Sequence, residues 1–179
     1  LRHFQKIADG IPVLPLLNAL AVNNDLWNEN TLRTSHPASP HTQTDDIWVM
    51  FNEIPSDPAG VIDDCEVIPY RAWKDLPVRE LVMDLMRLVS GTRLGRVIIS
   101  RLPPGAEIAA HVDQGAPATY YNRYHLALQS NPGALNYSGN ECVQYRMGEF
   151  WWFDNRAEHR IVNNSDDDRM VMVMDVHPC

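Results

Sequence analysis

Three residues of this sequence can together hold a metal ion: His111 and Asp113, which close the run RLPPGAEIAAHVD, and His159, which closes GEFWWFDNRAEH. On a β-strand alternate side chains share a face, so His111 and Asp113 project the same way with Cα atoms roughly 7 Å apart. Two imidazoles and one carboxylate, with the remaining positions open, form the ligand set of non-haem Fe(II) oxygenases. A Pro-Pro-Gly turn precedes the first pair, and a Gly-Glu turn with an aromatic strand precedes His159. Both are the loop-and-strand pattern found at the mouth of a barrel.

The elements that must position these groups lie mostly in the second half of the chain. From Arg96 onward, short apolar runs at 96–102, 106–111, 120–129, 142–147, 150–154, 160–163 and 169–176 are broken by Pro-Pro-Gly, Asn-Pro-Gly, Ser-Gly-Asn and Asn-Asn-Ser. This spacing predicts an antiparallel β-domain. The fold expected is mainly β: a double-stranded β-helix, that is, a cupin-like jelly roll whose open end holds small ligands, with supporting N-terminal helices.

Ahead of it, a short strand-like start leads to a helix over Ile11–Trp27, with Leu14, Leu17, Leu20 and Ala21 as its apolar stripe. Asn28–Thr44 reads as a loop and Asp46–Ile54 as a buried strand ended by Pro55. Ser56–Asp75 reads as loop with a short strand at Val67 and Ile68. A second helix is expected over Leu76–Val89, with Asp75 as cap, Pro77 in the first turn and Leu81, Leu85 and Leu88 at helical spacing, stopped by Gly91. A chain of 179 residues is expected to form one domain, 1–179, with 1–95 as helical and loop support plus outer strands and 96–178 as the core jelly roll.

Strand faces narrow the choice of site residues. Over Tyr120–Gln129, Tyr121, Arg123, His125, Ala127 and Gln129 share one face, which is either a solvated outer surface or a polar barrel interior. In the last strand Arg169, Val171 and Val173 share a face and Met170, Met172 and Met174 take the other. An Arg heading a row of valines suits a carboxylate anchor, since its planar guanidinium binds carboxylates bidentately. The Met face suits core. Of Trp151 and Trp152 one faces in and one out. Asp166–Asp168 reads as a solvated turn. His36, His41 and His177 read as loop or surface residues, with the loop of the first two able to border the pocket.

The formal net charge of −8 and pI near 5.2 oppose a basic footprint for nucleic acid or an anionic membrane. Cys65, Cys142 and Cys179 lack CxxC spacing, which suggests a reducing compartment. With no run near the roughly 18 apolar residues of a membrane span, a cytoplasmic location is expected. The expected partner is a small-molecule amino acid or a peptide, not nucleic acid or membrane.

Several motifs in one order resemble the aspartyl/asparaginyl β-hydroxylases, a branch of the 2-oxoglutarate and Fe(II)-dependent dioxygenases. They are Ser100 with the Pro-Gly turn and His111, then Arg123-Tyr124-His125-Leu126, then Gly148-Glu149 through His159, then Arg169 and the closing Asp-Val-His-Pro, together spanning residues 97–178. The resemblance implies Fe(II), 2-oxoglutarate and O2 as cofactors and cosubstrates. It implies His111 and His159 as iron ligands, with Asp113 in a carboxylate position that some members lack. It sets Ser100 and Arg169 on the distal carboxylate of 2-oxoglutarate and His125 near the other. Arg123 falls at the boundary with substrate, and Tyr121 stands where aspartyl-residue hydroxylases carry a second Arg. Because Arg123 has no evident partner, a substrate carboxylate is expected there.

The function expected is hydroxylation of an amino acid, free or as an aspartyl/asparaginyl-type residue in a peptide, coupled to decarboxylation of 2-oxoglutarate to succinate. A non-catalytic metal-binding cupin, serving as a carboxylate-ligand sensor, leaves the Ser100–Arg169 clamp without a task. A metal-dependent isomerase or hydrolase leaves Arg169 unexplained.

Overall fold

The computed structural model describes residues 1–54 and 64–179. Pro55 and the expected loop from residue 56 to 63 lie outside those residues. Eleven strands are seen among the described residues: β1 Phe4–Ala8, β2 Asp45–Phe51, β3 Ile68–Pro69, β4 Gly91–Leu102, β5 Glu107–His111, β6 Asn122–Gln129, β7 Ala134–Ser138, β8 Glu141–Val143, β9 Phe150–Phe153, β10 His159–Asn163 and β11 Arg169–Pro178. They form two antiparallel sheets, a major one in the order β1-β9-β6-β11-β4-β2-β3 and a minor one in the order β5-β10-β7-β8. From β4 onward the chain crosses between them: β4, β6, β9 and β11 in the major sheet, β5, β7, β8 and β10 in the minor. That alternation is the jelly roll expected.

The major sheet is covered on both faces. Alternate residues of its strands, including Ile47, Val49, Val97, Ile99, Leu126, Leu128, Phe150, Met172 and Met174, pack with helical residues in the main core. Those helices are α1 (Leu14–Val22), followed by a 3-10 turn at Asn24–Leu26, α2 (Leu32–Ser35), α3 (Arg71–Asp75) and α4 (Arg79–Leu88), with α5 (Ala116–Tyr120) later in the chain. The methionine face of β11 is therefore core. On the other face Leu102 meets Ala106, Ile108 and Ile161 of the minor-sheet region. The two tryptophans divide between the faces: Trp151 packs with Phe4, Ala127, Tyr145 and Phe153, and Trp152 with the main core. Each thus has an apolar neighbourhood.

Several boundaries differ from expectation. Helix α1 starts at Leu14, with Pro15 in its first turn, and buries Leu16 and Leu20, with Val13 buried just before it, while Leu14 and Ala21 are exposed. The 71–75 stretch is helical, so Asp75 ends one helix instead of capping the next, and α4 begins after Val78. Its buried residues are Val82 and Leu85, with Val78 buried just ahead of it; Leu88 is exposed. The expected strand 120–129 begins after α5, the expected strand 142–147 is reduced to β8, and β7 is a strand that was not expected. No described helix is long and apolar enough to cross a membrane.

Candidate metal centre

His111 closes β5 and His159 opens β10, and the two are register partners across these antiparallel strands. A β-bulge brings them there. Ile161 pairs with Ile108 and His159 with His111, so β5 spends one more residue than β10 over the same stretch. Ile108 and His111, which strict alternation would set on opposite faces, both line the space between the sheets. Asp113 lies just past the end of β5, where its backbone N–H donates to Asn155 O at 3.2 Å.

Each imidazole is held by the carbonyl two residues before it: His111 Nδ1 lies 2.7 Å from Ala109 O and His159 Nδ1 2.9 Å from Ala157 O. A carbonyl only accepts, so both Nδ1 atoms carry the proton and both Nε2 atoms present a lone pair. Those lone pairs converge on one carboxylate oxygen. Asp113 Oδ1 is 3.4 Å from His111 Nε2 and 3.9 Å from His159 Nε2. One ligand atom from each residue lies within 4.8 Å of the others, a set able to hold a divalent ion.

Electrostatics favour the deprotonated forms a metal needs. Burial alone would raise the Asp113 carboxyl, but the Arg123 guanidinium, with a hydrogen bond from Asn155, holds it well below the usual carboxylate range. Burial lowers the His159 imidazole, against the Ala157 carbonyl. His125 is fully enclosed and held well below the ordinary histidine value by burial and by Arg169.

The pocket between the sheets is lined by Arg33, His41, Ser100, Ile108, His111, Arg123, His125, Phe153, His159, Ile161, Arg169 and Val173. Arg169 is buried in it, only 2% exposed, and donates through Nη2 to Asn136 Oδ1 at 2.6 Å. It faces no carboxylate among the described residues. Burial pulls its pKa down to about 10. Its Nε and the Ser100 hydroxyl are both buried without a hydrogen-bond partner. A buried cation whose own Nε and whose neighbouring hydroxyl both lack partners is the chemistry of an anion site. These donors suit a carboxylate. A broader hollow beside α4, lined by Trp73, Arg79, Met83 and Arg87 among others, contains no metal-binding cluster.

Arg123, expected to lack a partner, has two. Its guanidinium is not left over: Nε and Nη2 donate to Asp175 Oδ1 and Oδ2 at 2.8 and 2.9 Å, and Nη1 donates to Asp113 Oδ2. The need for a substrate carboxylate at Arg123 therefore lapses. Tyr121, expected to face substrate, is 2% exposed and outside the pocket lining. It precedes β6, and its hydroxyl donates to Cys65 O at 2.8 Å, with burial pushing its pKa up to about 12. Two further residues of the first half of the chain line the pocket: His41, on the loop expected to be able to border it, and Arg33, for which the sequence predicts only a loop. Arg33 donates to the buried Asp46 carboxylate at 2.5 Å, and its Nη2 lies 3.0 Å from the ring nitrogens of His41, whose ring sits edge-on to His111.

Residues 68–178 match the model of a protein family described as aspartyl/asparaginyl beta-hydroxylase. A search of curated proteins finds no match. Among solved structures, the chain is similar to a 2OG-Fe(II) oxygenase family oxidoreductase from Burkholderia pseudomallei, at 14% identity and TM-score 0.60 over 98% of this chain and 84% of that one. It is also similar to a Pseudomonas putida prolyl-4-hydroxylase, at 16% identity and TM-score 0.56 over 99% and 94%. A third is the viral collagen prolyl hydroxylase of Paramecium Bursaria Chlorella virus-1, at 10% identity and TM-score 0.55 over 99% and 96%. These likenesses concern the fold.

Proposed function

The chain belongs to the aspartyl/asparaginyl β-hydroxylase family, and from that membership we propose that it hydroxylates a C–H bond of an amino acid, free or within a peptide, using Fe(II) and 2-oxoglutarate. The observation that carries this reading is the convergence of two Nε2 lone pairs and Asp113 Oδ1 beside a pocket in which the Arg169 cation has no counter-charge and its Nε and the Ser100 hydroxyl have no hydrogen-bond partner. His111, Asp113 and His159 would hold the iron. Ser100 and Arg169 would hold the distal carboxylate of 2-oxoglutarate.

When bound, the iron, 2-oxoglutarate and O2 supply the oxidising power, and the cosubstrate leaves as succinate and CO2. The chain's own residues do the rest. The backbone carbonyls of Ala109 and Ala157 keep both imidazoles in the ligating tautomer. Arg169 neutralises the cosubstrate's far carboxylate, and the buried His125, neutral at working pH, offers a hydrogen bond without adding charge. Ile108, Phe153, Ile161 and Val173 exclude water around the reacting carbon. A carboxylate-ligand sensor would also use a Ser100–Arg169 clamp, so the enzyme reading is preferred on the chain's membership of a hydroxylase family.

The test is a panel of free amino acids and short peptides incubated with Fe(II), 2-oxoglutarate and ascorbate, scored by mass for added oxygen and for succinate. His111→Ala and His159→Ala are expected to abolish both signals. Full succinate formation in both variants would overturn the reading.

A further inference from the structure

The pair Asp175–Arg123 is not accounted for by the ligands or by the cosubstrate clamp. Asp175 lies on β11, only 1% exposed, in register with Arg123 on β6. Its two oxygens take the Nε and Nη2 donors of the guanidinium, so one edge of the fork is fully engaged. Because the guanidinium is planar and rigid, fixing that edge fixes the direction of Nη1. Nη1 points at Asp113 Oδ2, which also accepts from Asn155 Nδ2 at 3.1 Å. The other oxygen, Oδ1, is the one that faces His111 Nε2 and His159 Nε2. The two oxygens of Asp113 thus have separate assignments.

Resting on the metal-centre reading above, we propose that Asp175 is a positioning residue: through Arg123 it orients Asp113 so that Oδ1 alone is presented to the metal. Without Asp175, the fork is free to turn its paired donors onto both oxygens of Asp113, a bidentate grip that withdraws the ligating oxygen. Asp175 and Asp113 together divide the donors of one cation. Partners that orient a ligand in this way characteristically change metal affinity by about 10- to 100-fold when removed.

The experiment uses the metal alone. Co(II) is titrated into the full, metal-free chain and followed by visible absorption, with circular dichroism and a thermal melt to establish that each variant is folded. Wild type is expected to bind and His159→Ala to fail; if the two bind alike, the metal-centre reading itself falls. Given wild-type binding, Asp175→Asn is expected to weaken Co(II) by at least about tenfold and to alter the visible spectrum. The decisive comparison repeats Asp175→Asn in an Arg123→Gln background. An effect that travels through Arg123 disappears there, whereas a loss from charge or folding alone persists. A persisting loss, or wild-type affinity and spectrum in Asp175→Asn, overturns the proposal. If Asp175→Asn does not fold, Asp175→Glu keeps the charge and displaces the carboxylate by one methylene. A changed Co(II) spectrum is expected there too, and an unchanged spectrum and affinity overturn the proposal equally.

Discussion

His111 and His159 face each other as register partners on β5 and β10, with ring centroids 4.1 Å apart and no third strand between them. A metal held by both joins neighbouring strands of the smaller sheet. Its local apolar support is a small cluster of Leu102, Ala106, Ile108 and Ile161. Metal at about a hundred times its dissociation constant is expected to add about 2.7 kcal/mol of stability, or roughly 5–10 °C in Tm at about 2–4 °C per kcal/mol. Hydrogen exchange should show the gain in protection concentrated in β5 and β10. Equal protection gained throughout both sheets would argue against this placement of the ion.

Replacing Arg169 by Met should separate binding from stability. Loss of charge-assisted hydrogen bonds to a carboxylate is worth roughly 1.5–3 kcal/mol each, so 2-oxoglutarate affinity should fall well over tenfold. The ligand-free protein should not become markedly less stable, because the change also removes a buried cation that lacks a counter-charge. Calorimetric titration of metal-loaded protein and thermal melts of the metal-free form measure the two effects. Unchanged affinity would remove Arg169 from the cosubstrate site.

Two buried histidines and the half-buried His41 set an acid limit on the metal-free protein. Burial lowers His41 and His125 far below the ordinary value, and His159 as well. In the unfolded chain each protonates near about 6.5, so below that pH the unfolded state binds more protons. Stability is therefore retained above about pH 6.5 and lost as pH falls beneath it. Denaturant midpoints measured against pH should decline through this window, with a shallower slope for His125→Gln. An equal slope in the variant would mean that His125 accepts a proton in the folded state.

Tyr121→Phe should leave turnover intact. The hydroxyl it removes donates to Cys65 O, away from the pocket lining, so the expected loss is roughly 0.5–1.5 kcal/mol of stability. Gly95→Ala acts on the same contact from the other side, since a Cβ there would lie 2.8 Å from the Tyr121 ring. Overpacking of this kind costs roughly 1–3 kcal/mol. Steady-state kinetics at a temperature where the variants remain folded should give wild-type KM; a raised substrate KM in Tyr121→Phe would return Tyr121 to the substrate site.

Much of this site was legible because its signals are local. The alternation in β11 separates Arg169 and its valines from the methionines of the core, and turn residues bracket His111 and His159. The failures share a different cause. The partners of Arg123 lie 10 and 52 residues away, and only strand register brings Asp175 beside it. The bulge in β5 changes which residues face inward without any Gly or Pro to announce it. Strand β7 escaped notice because Asn136 and Ser138, two of its three buried inward residues, are polar, so its alternation carries little apolar contrast. Asn136 is polar for a reason visible only in three dimensions, since it receives a hydrogen bond from Arg169 across the gap between the sheets.

The distribution of fixed charge also bears on how ligands arrive. The lining cations Arg33 and Arg123 are matched at close range by Asp46, Asp113 and Asp175, whereas Arg169 lies buried and unmatched at 2% exposure. The chain as a whole carries a net charge of −8. A dianion approaching from solution therefore meets a repulsive average field and finds attractive charge, that of Arg169 and of a bound divalent ion, only within the pocket. Salt screens the long-range repulsion more than the enclosed contact. Capture of such a ligand should accordingly speed up, not slow down, as ionic strength rises, making the site a short-range selector that does not depend on electrostatic steering.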